Sequence, residues 1–306
     1  MLEKKNTAFL FPAFVLGFPN EEKQLIETLT GELTDFYKQA ETVSGFNFRN
    51  NNAVNKENTD VELYSQLQSY VFSCALSEIL KNHSMEACLA AGYSMGIYAA
   101  LYHTGSVDFS TGLNLIVQAY NHIRLSCQGP RCGMASIIGL EKKDIEHIIS
   151  TCLLNVEIIN NNGFHSFVIS GNAADIAETV KLCRYEGAIH TRIIPVSVAY
   201  HSYHLKEAAA NFGKMLPAMN IKAANTGLIS IINQRVFSSR EEILLELQQN
   251  LCSKINWMAT MQVMLEKGIT TFVECGTGET LYKIGKFIEG NFKIFTFKSL
   301  YKLIKS

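Results

Sequence analysis

The sequence predicts an α/β protein: a parallel sheet covered by helices on both faces, with a smaller strand-and-helix unit spliced into it. Two observations carry this. Short apolar strand candidates alternate with longer segments of helical period up to about residue 125, the pattern of strands joined by crossover helices. Beyond Gly129 and Pro130 the order becomes strand, helix, strand, strand, helix, strand, which is the split βαβ pattern. The 306 residues and 47% hydrophobic content are enough for one large core with an insert.

Phe9, Leu10 and Phe11 form a short strand that ends at Pro12. Glu21 to Ala40 has the spaced apolar residues of an amphipathic helix, and the polar, asparagine-rich stretch from Asn47 to Asp60 is a loop. Val61 to Leu80 is a second helix, with Leu63, Leu67, Tyr70, Val71 and Cys74 on one face. A small, apolar run from Met85 to Ala91 then reads as a buried strand, Ile97 to Tyr102 as a helix, and Thr111 to Leu125 as another.

In the second unit, strands at Met134–Leu140, Val156–Asn160, Phe167–Ser170 and His190–Ile194 enclose helices at Lys142–Ser150 and Ala174–Glu186. This is a ferredoxin-like insert of roughly 70 residues closing near Pro195. Accordingly, residues 129–196 are assigned to a small subdomain, and residues 1–128 and 197–306 to the large one. The large one resumes with helices near Leu205–Leu216 and Arg240–Leu251, a strand at Thr271–Glu274 and a helix from Leu281.

Composition narrows the function classes. Lys and Arg total 27 against 28 Asp and Glu, and the pI is near 6.7, so no overall field favours nucleic acid or an anionic membrane. No signal peptide or membrane span is expected from the sequence. The eight cysteines form no CxxC pair, and we expect reduced thiols in a cytoplasmic protein; Cys127 and Cys132 flank a turn without a strong metal or disulfide signal. The histidines lack an HExxH-type spacing, so no metal is expected.

The chemistry concentrates at Gly92, Tyr93, Ser94, Met95 and Gly96, a GxSxG pentapeptide between the buried strand and the Ile97 helix. Glycines allow the sharp bend that exposes a serine hydroxyl, and N–H groups at the helix start are free to hold an oxyanion. Many such serines are ordinary turn residues. A serine nucleophile also needs a base, usually histidine. His201, where the chain returns from the small unit to the large one, is the best candidate; a plain surface histidine is the alternative, and His204 is a rival.

Taken together, these segments resemble the malonyl-CoA:acyl carrier protein acyltransferases. The matching pieces are Phe11–Pro12, the Gly92–Leu101 elbow, Gly133–Met134–Ala135 leading to Gly139, and Asn160 and Asn162 before Val168–Gly171. Tyr200–His201–Ser202, Asn250–Leu251 before Trp257, and Glu274–Gly278 follow in family order. The resemblance implies an α/β-hydrolase-like large subdomain and a ferredoxin-like small one. It also implies Ser94 as nucleophile, His201 as base, and Asn250 as the position whose backbone carbonyl orients the histidine. The oxyanion hole would be the N–H groups of Phe14 and Met95. The partners implied are acyl carrier proteins, whose phosphopantetheine arm belongs to the substrate, with no bound cofactor.

The chain departs from the family where charge matters. The first loop reads Phe11, Pro12, Ala13, Phe14, Val15 where the family has Phe, Pro, Gly, Gln, Gly; Tyr93 replaces a histidine and Ile97 a glutamate. Malonyl-specific members carry an arginine in the Thr111–Leu125 helix that forks onto the malonyl carboxylate. The matching position is Tyr120, or Ala119 in a shifted register, with Arg124 one turn on as a substitute. An unpartnered carboxylate is costly to bury, so uncharged acyl groups are expected in a pocket lined by Tyr93, Ile97, Tyr120 and Tyr200.

The elbow looks like the stand-alone acyl hydrolase branch of trans-acyltransferase polyketide assembly lines, and the expected activity is a thioesterase clearing short neutral acyl groups such as acetyl from carrier proteins. An acyl transferase, a malonyl- or acyl-CoA:carrier protein transacylase, is the alternative. A catalytically idle carrier-binding scaffold is a second.

Overall fold

The computed structural model describes residues 3–15, 30–48, 60–126 and 131–305, and two sheets organise them. β1 (Thr7–Phe11) is buried at all five positions and pairs in parallel with β2 (Leu89–Gly92) on one side and β9 (Thr271–Glu274) on the other. β10 (Lys293–Thr296) extends the sheet past β9, and β7 (Gly227–Ile229) extends it past β2, both in parallel. β8 (Val236–Phe237) closes that edge antiparallel to β7.

Alternation along β1 shows that both faces are covered. Phe9 and Phe11 join one apolar cluster, and Ala8 and Leu10 join another around Trp257, Met261 and Phe272.

Four helices pack before the smaller sheet begins: α1 (Thr30–Ser44), α2 (Val61–Asn82), α3 (Ile97–His103) and α4 (Phe109–Ser126). The expected Glu21–Ala40 helix is found from Thr30 and runs on to Ser44; residues 21–29, most of the expected loop before Asp60, and Cys127 lie outside the described residues. α2 starts at Asp60, whose carboxylate accepts from the Leu63 N–H as an N-cap. It runs through the interior, so Gln66, Ser69 and Ser73 are buried along with its apolar residues.

The smaller sheet is antiparallel, in the order β4 (Val156–Gly163), β5 (Ser166–Asn172), β3 (Cys132–Ile138), β6 (His190–Ile194). α5 (Lys142–Thr151) and α6 (Ala173–Tyr185) pack against it, the first opened by a Glu141–Asp144 capping box and the second by an Asn172 cap. This is the ferredoxin-like arrangement that the order of elements predicts. One strand leaves its own sheet to touch the rest of the molecule: Asn160 of β4 forms an isolated bridge with Ile255, whose N–H donates to the Ile159 carbonyl at 2.8 Å.

After β6 come α7 (Lys206–Met215), α8 (Arg240–Cys252), α9 (Trp257–Glu266), α10 (Thr280–Gly285) and α11 (Phe297–Lys305). α8 starts with a capping box of Ser239 and Glu242. Among the described residues no helix is long and apolar enough to cross a membrane.

Candidate active site

The elbow is built by steric demand. A Cβ on Gly92 would meet the Ile97 backbone at 2.3 Å, and one on Gly96 would meet the Phe11 carbonyl oxygen at 2.0 Å, so both positions need glycine. Between them Ser94 takes a left-handed backbone, φ 55°, which strains a side-chain-bearing residue and turns its hydroxyl out of the chain. Two hydrogen bonds hold the bend: Tyr93 N–H donates to the Phe11 carbonyl at 2.8 Å, and Asn250 Nδ2 donates to the Ser94 carbonyl at 3.1 Å.

His201 reaches the serine from the segment between β6 and α7. Its own N–H donates to the Leu251 carbonyl at 3.0 Å, and its φ of 59° is also left-handed. The ring is 3% exposed, and Nε2 lies 2.7 Å from Ser94 Oγ. Burial disfavours the imidazolium and pushes the ring down to about 4, against the opposing pull of the Ser253 and Asn250 backbone carbonyls. Nδ1 is buried and has no hydrogen-bond partner among the described residues. A neutral imidazole with its proton on Nδ1 accepts the serine proton at Nε2. The rival His204 instead lays its ring on Tyr203, centroids 4.0 Å apart.

A narrow cleft opens beside the elbow, enclosing about 250 Å³ with its mouth included. Pro12 and Phe14 enter it from the loop after β1, and α2 contributes Gln66, Ser69, Tyr70 and Ser73. Met95, Gly96 and Ala99 form the elbow side, with Ile116 from α4 opposite. Both residues expected to supply oxyanion N–H groups therefore border one space. Among the described residues, none of those lining the cleft is cationic.

The four side chains expected to line an acyl pocket do not line this cleft; hydroxyl chemistry draws three of them elsewhere. Tyr93 Oη donates to Asn162 Oδ1 at 3.1 Å and accepts from Asn160 Nδ2 at 2.7 Å, while its ring packs edge-on against Trp257. Burial pushes that phenol up to about 12. Tyr120 Oη donates to Asp60 Oδ1 at 2.6 Å, and Tyr200 Oη donates to Glu62 Oε1 at 2.6 Å. Ile97 is 3% exposed within the core.

Arg124 does not replace a clamp. Its Nη1 pairs with Asp60 Oδ2 at 3.0 Å and its side chain is 59% exposed, while Ala119 is fully buried.

The sequence reading missed Gln66, Ser69 and Ser73. Their signal is polarity at i, i+3 and i+7 on a helix otherwise rich in apolar residues, a stripe that falls on one face. It also gave no role to Glu274, which is fully buried and accepts from the Leu281 and Tyr282 N–H groups at 2.9 Å, fixing the loop that brings Gly276 against Pro12. Among the described residues there is no group of three or more His, Cys, Asp or Glu side chains able to hold a metal.

Comparison with known proteins agrees with this geometry. Residues 41–285 match the acyl transferase domain family. The polyketide biosynthesis protein ThaF of Burkholderia thailandensis is 27% identical over 281 residues, 90% of this chain, which spans only 23% of ThaF's length. The polyketide biosynthesis malonyl CoA-acyl carrier protein transacylase BaeC of Bacillus velezensis is 27% identical over 280 residues, covering 89% of this chain and 93% of that one. The crystal structure of the malonyl-CoA:acyl carrier protein transacylase from Xanthomonas oryzae pv. oryzae superposes with a TM-score of 0.88 over 100% of this chain and 99% of the other, at 21% identity, and shows the shared fold. A serine elbow facing a buried histidine across this two-sheet architecture, matched over most of its length, makes the chain a member of the acyl transferase domain family.

Proposed function

We propose that the protein moves an uncharged acyl group from a thioester to the phosphopantetheine thiol of an acyl carrier protein, through an ester on Ser94. The observation that carries this is the Ser94 Oγ–His201 Nε2 pair at 2.7 Å beside a cleft with no cationic side chain among its described lining residues. The sequence alone favoured hydrolysis; the transacylase relatives support transfer as the first reading.

Ser94 Oγ attacks the thioester carbonyl carbon while Nε2 takes its proton. The N–H groups of Phe14 and Met95 hold the oxyanion of the tetrahedral intermediate. The intermediate collapses by breaking the carbon–sulfur bond, and His201 returns the proton to the departing sulfur. A carrier thiol then attacks the Ser94 ester by the same steps in reverse order. Asn250 bears on both partners, its side chain on the Ser94 carbonyl and its backbone carbonyl favouring the protonated His201 ring.

In this arrangement the backbone carbonyls of Ser253 and Asn250, rather than an aspartate, favour the charged ring. The lack of a cation among the described lining residues of the cleft disfavours a malonyl carboxylate, which would be buried without a partner. Residues 129–196 serve as the small subdomain of this enzyme.

Hydrolysis is the second reading, favoured by the hydroxyl and amide groups of Ser69, Ser73 and Gln66, which give a water hydrogen-bonding partners inside the cleft. Incubation with acetyl- or malonyl-CoA and a phosphopantetheinylated carrier protein, followed by intact mass, separates the readings. Acetyl gain on the carrier supports transfer, and acetyl loss from a preloaded carrier supports hydrolysis. Malonyl loading faster than acetyl loading defeats the neutral-acyl reading, and complete inertness with both defeats the enzyme.

A further inference from the structure

Gln66 borders the cleft and is 3% exposed, yet only one end of its amide is engaged. Nε2 donates to Tyr200 Oη at 3.0 Å. Tyr200 gives its own proton to Glu62 Oε1 at 2.6 Å, so toward Gln66 the phenol oxygen acts only as an acceptor. This relay fixes the amide. Nε2 faces the tyrosine, and Oε1 is left without a donor among the described residues.

A buried carbonyl oxygen with no donor is uncommon in a folded protein and points to a partner that arrives from outside. The partner has to bring a proton, because the atom waiting for it carries only lone pairs. The rest of the cleft narrows the choice. Met95, Ala99 and Ile116 make its other sides apolar, so the space suits an acyl group that carries a single polar substituent.

We propose that the cleft selects acyl groups carrying a hydroxyl, with Gln66 Oε1 accepting the hydroxyl proton. This rests on the acyl-transfer reading above and deepens it. An unsubstituted chain leaves Oε1 unmet, and a keto oxygen sets lone pair against lone pair; a hydroxyl satisfies it. Glu62 and Tyr200 act as positioning residues, holding Nε2 on the tyrosine and leaving the acceptor end without a donor. A site built to bond a hydroxyl discriminates against the analogue that lacks it, because its own polar group is then left unpaired.

The test uses the N-acetylcysteamine thioesters of butyrate, 3-hydroxybutyrate and acetoacetate with the full chain, following the acyl-Ser94 adduct by intact mass. The 3-hydroxybutyryl adduct is expected to form with kcat/KM about tenfold above butyryl, with acetoacetyl the slowest, and Gln66→Met is expected to bring the hydroxybutyryl-to-butyryl ratio close to one. Equal wild-type rates for butyryl and 3-hydroxybutyryl overturn the proposal while leaving acyl transfer standing, and this ratio needs no variant to fold. A Gln66→Met loss of the same size for all three thioesters also overturns it, since Oε1 would then serve the amide N–H they share. No adduct from any of the three removes the acyl-transfer reading and this one with it.

Discussion

Asn250 bears on both members of the reacting pair: its Nδ2 donates to the Ser94 carbonyl at 3.1 Å, and its backbone carbonyl favours the protonated His201 ring. The strained φ of 55° at Ser94 is thus held from the side opposite its hydroxyl. Asn250→Ala removes the side-chain bond and keeps the carbonyl. A net bond of this kind contributes about 0.5–1.5 kcal/mol, so the rate of Ser94 acylation should fall about two- to tenfold. Rapid-quench mass spectrometry measures it, and an unchanged rate would show that the elbow holds its shape unaided.

The imidazole sets the pH dependence. A base with its pKa lowered to about 4 is neutral above that value and blocked by protonation below it. Acylation should therefore rise through about pH 4 and be level by pH 6. The sign for stability is the same: the unfolded histidine, at 6.5, binds more protons than the folded one between pH 6.5 and 4, so the fold loses stability as pH falls through that window. A rate profile with its midpoint near 7 would contradict the buried, neutral ring. Ser94→Ala should form no covalent acyl adduct at any pH.

Malonyl acceptance depends on where a guanidinium can stand. Tyr120→Arg, the substitution that the sequence suggests, should do little, because that position faces Asp60. Ile116 borders the cleft, and Ile116→Arg should raise the malonyl-to-acetyl adduct ratio at least tenfold through a charge-assisted bond. Competition between malonyl- and acetyl-CoA, read by mass, decides it; a gain at Tyr120 with none at Ile116 would reverse the assignment.

Tyr93→Phe tests the join between the sheets. The change leaves Asn160 Nδ2 with one partner fewer in a buried network and should cost about 1–3 kcal/mol, seen as a lower urea midpoint at unchanged m-value. No shift in midpoint would mean that the network does not hold the elbow to β4.

Much of this was legible in the sequence. The GxSxG turn was readable because glycine is demanded by close backbone approach at both ends, and the insert because its helices and strands follow the split order. β7 and β8 were not, at three and two residues, since segments so short carry no period. α9 escaped because Trp257–Glu266 is apolar on most sides and shows little amphipathic contrast. The acyl pocket was misread for a different reason. Aromatic residues near a nucleophile read as apolar lining in the sequence, whereas Tyr120 and Tyr200 direct their hydroxyls to Asp60 and Glu62, carboxylates more than fifty positions away in the chain. Such pairings exist only once the fold brings them together.

The bridge from Asn160 to Ile255 acquires a mechanical meaning beside the path of the chain. β4 grips Tyr93, the neighbour of the serine, and β6 leads directly into the stretch that ends at His201. Serine and histidine thus hang from one layer by two separate strands, so their 2.7 Å separation is set by how that layer seats on the larger sheet and not by the elbow alone.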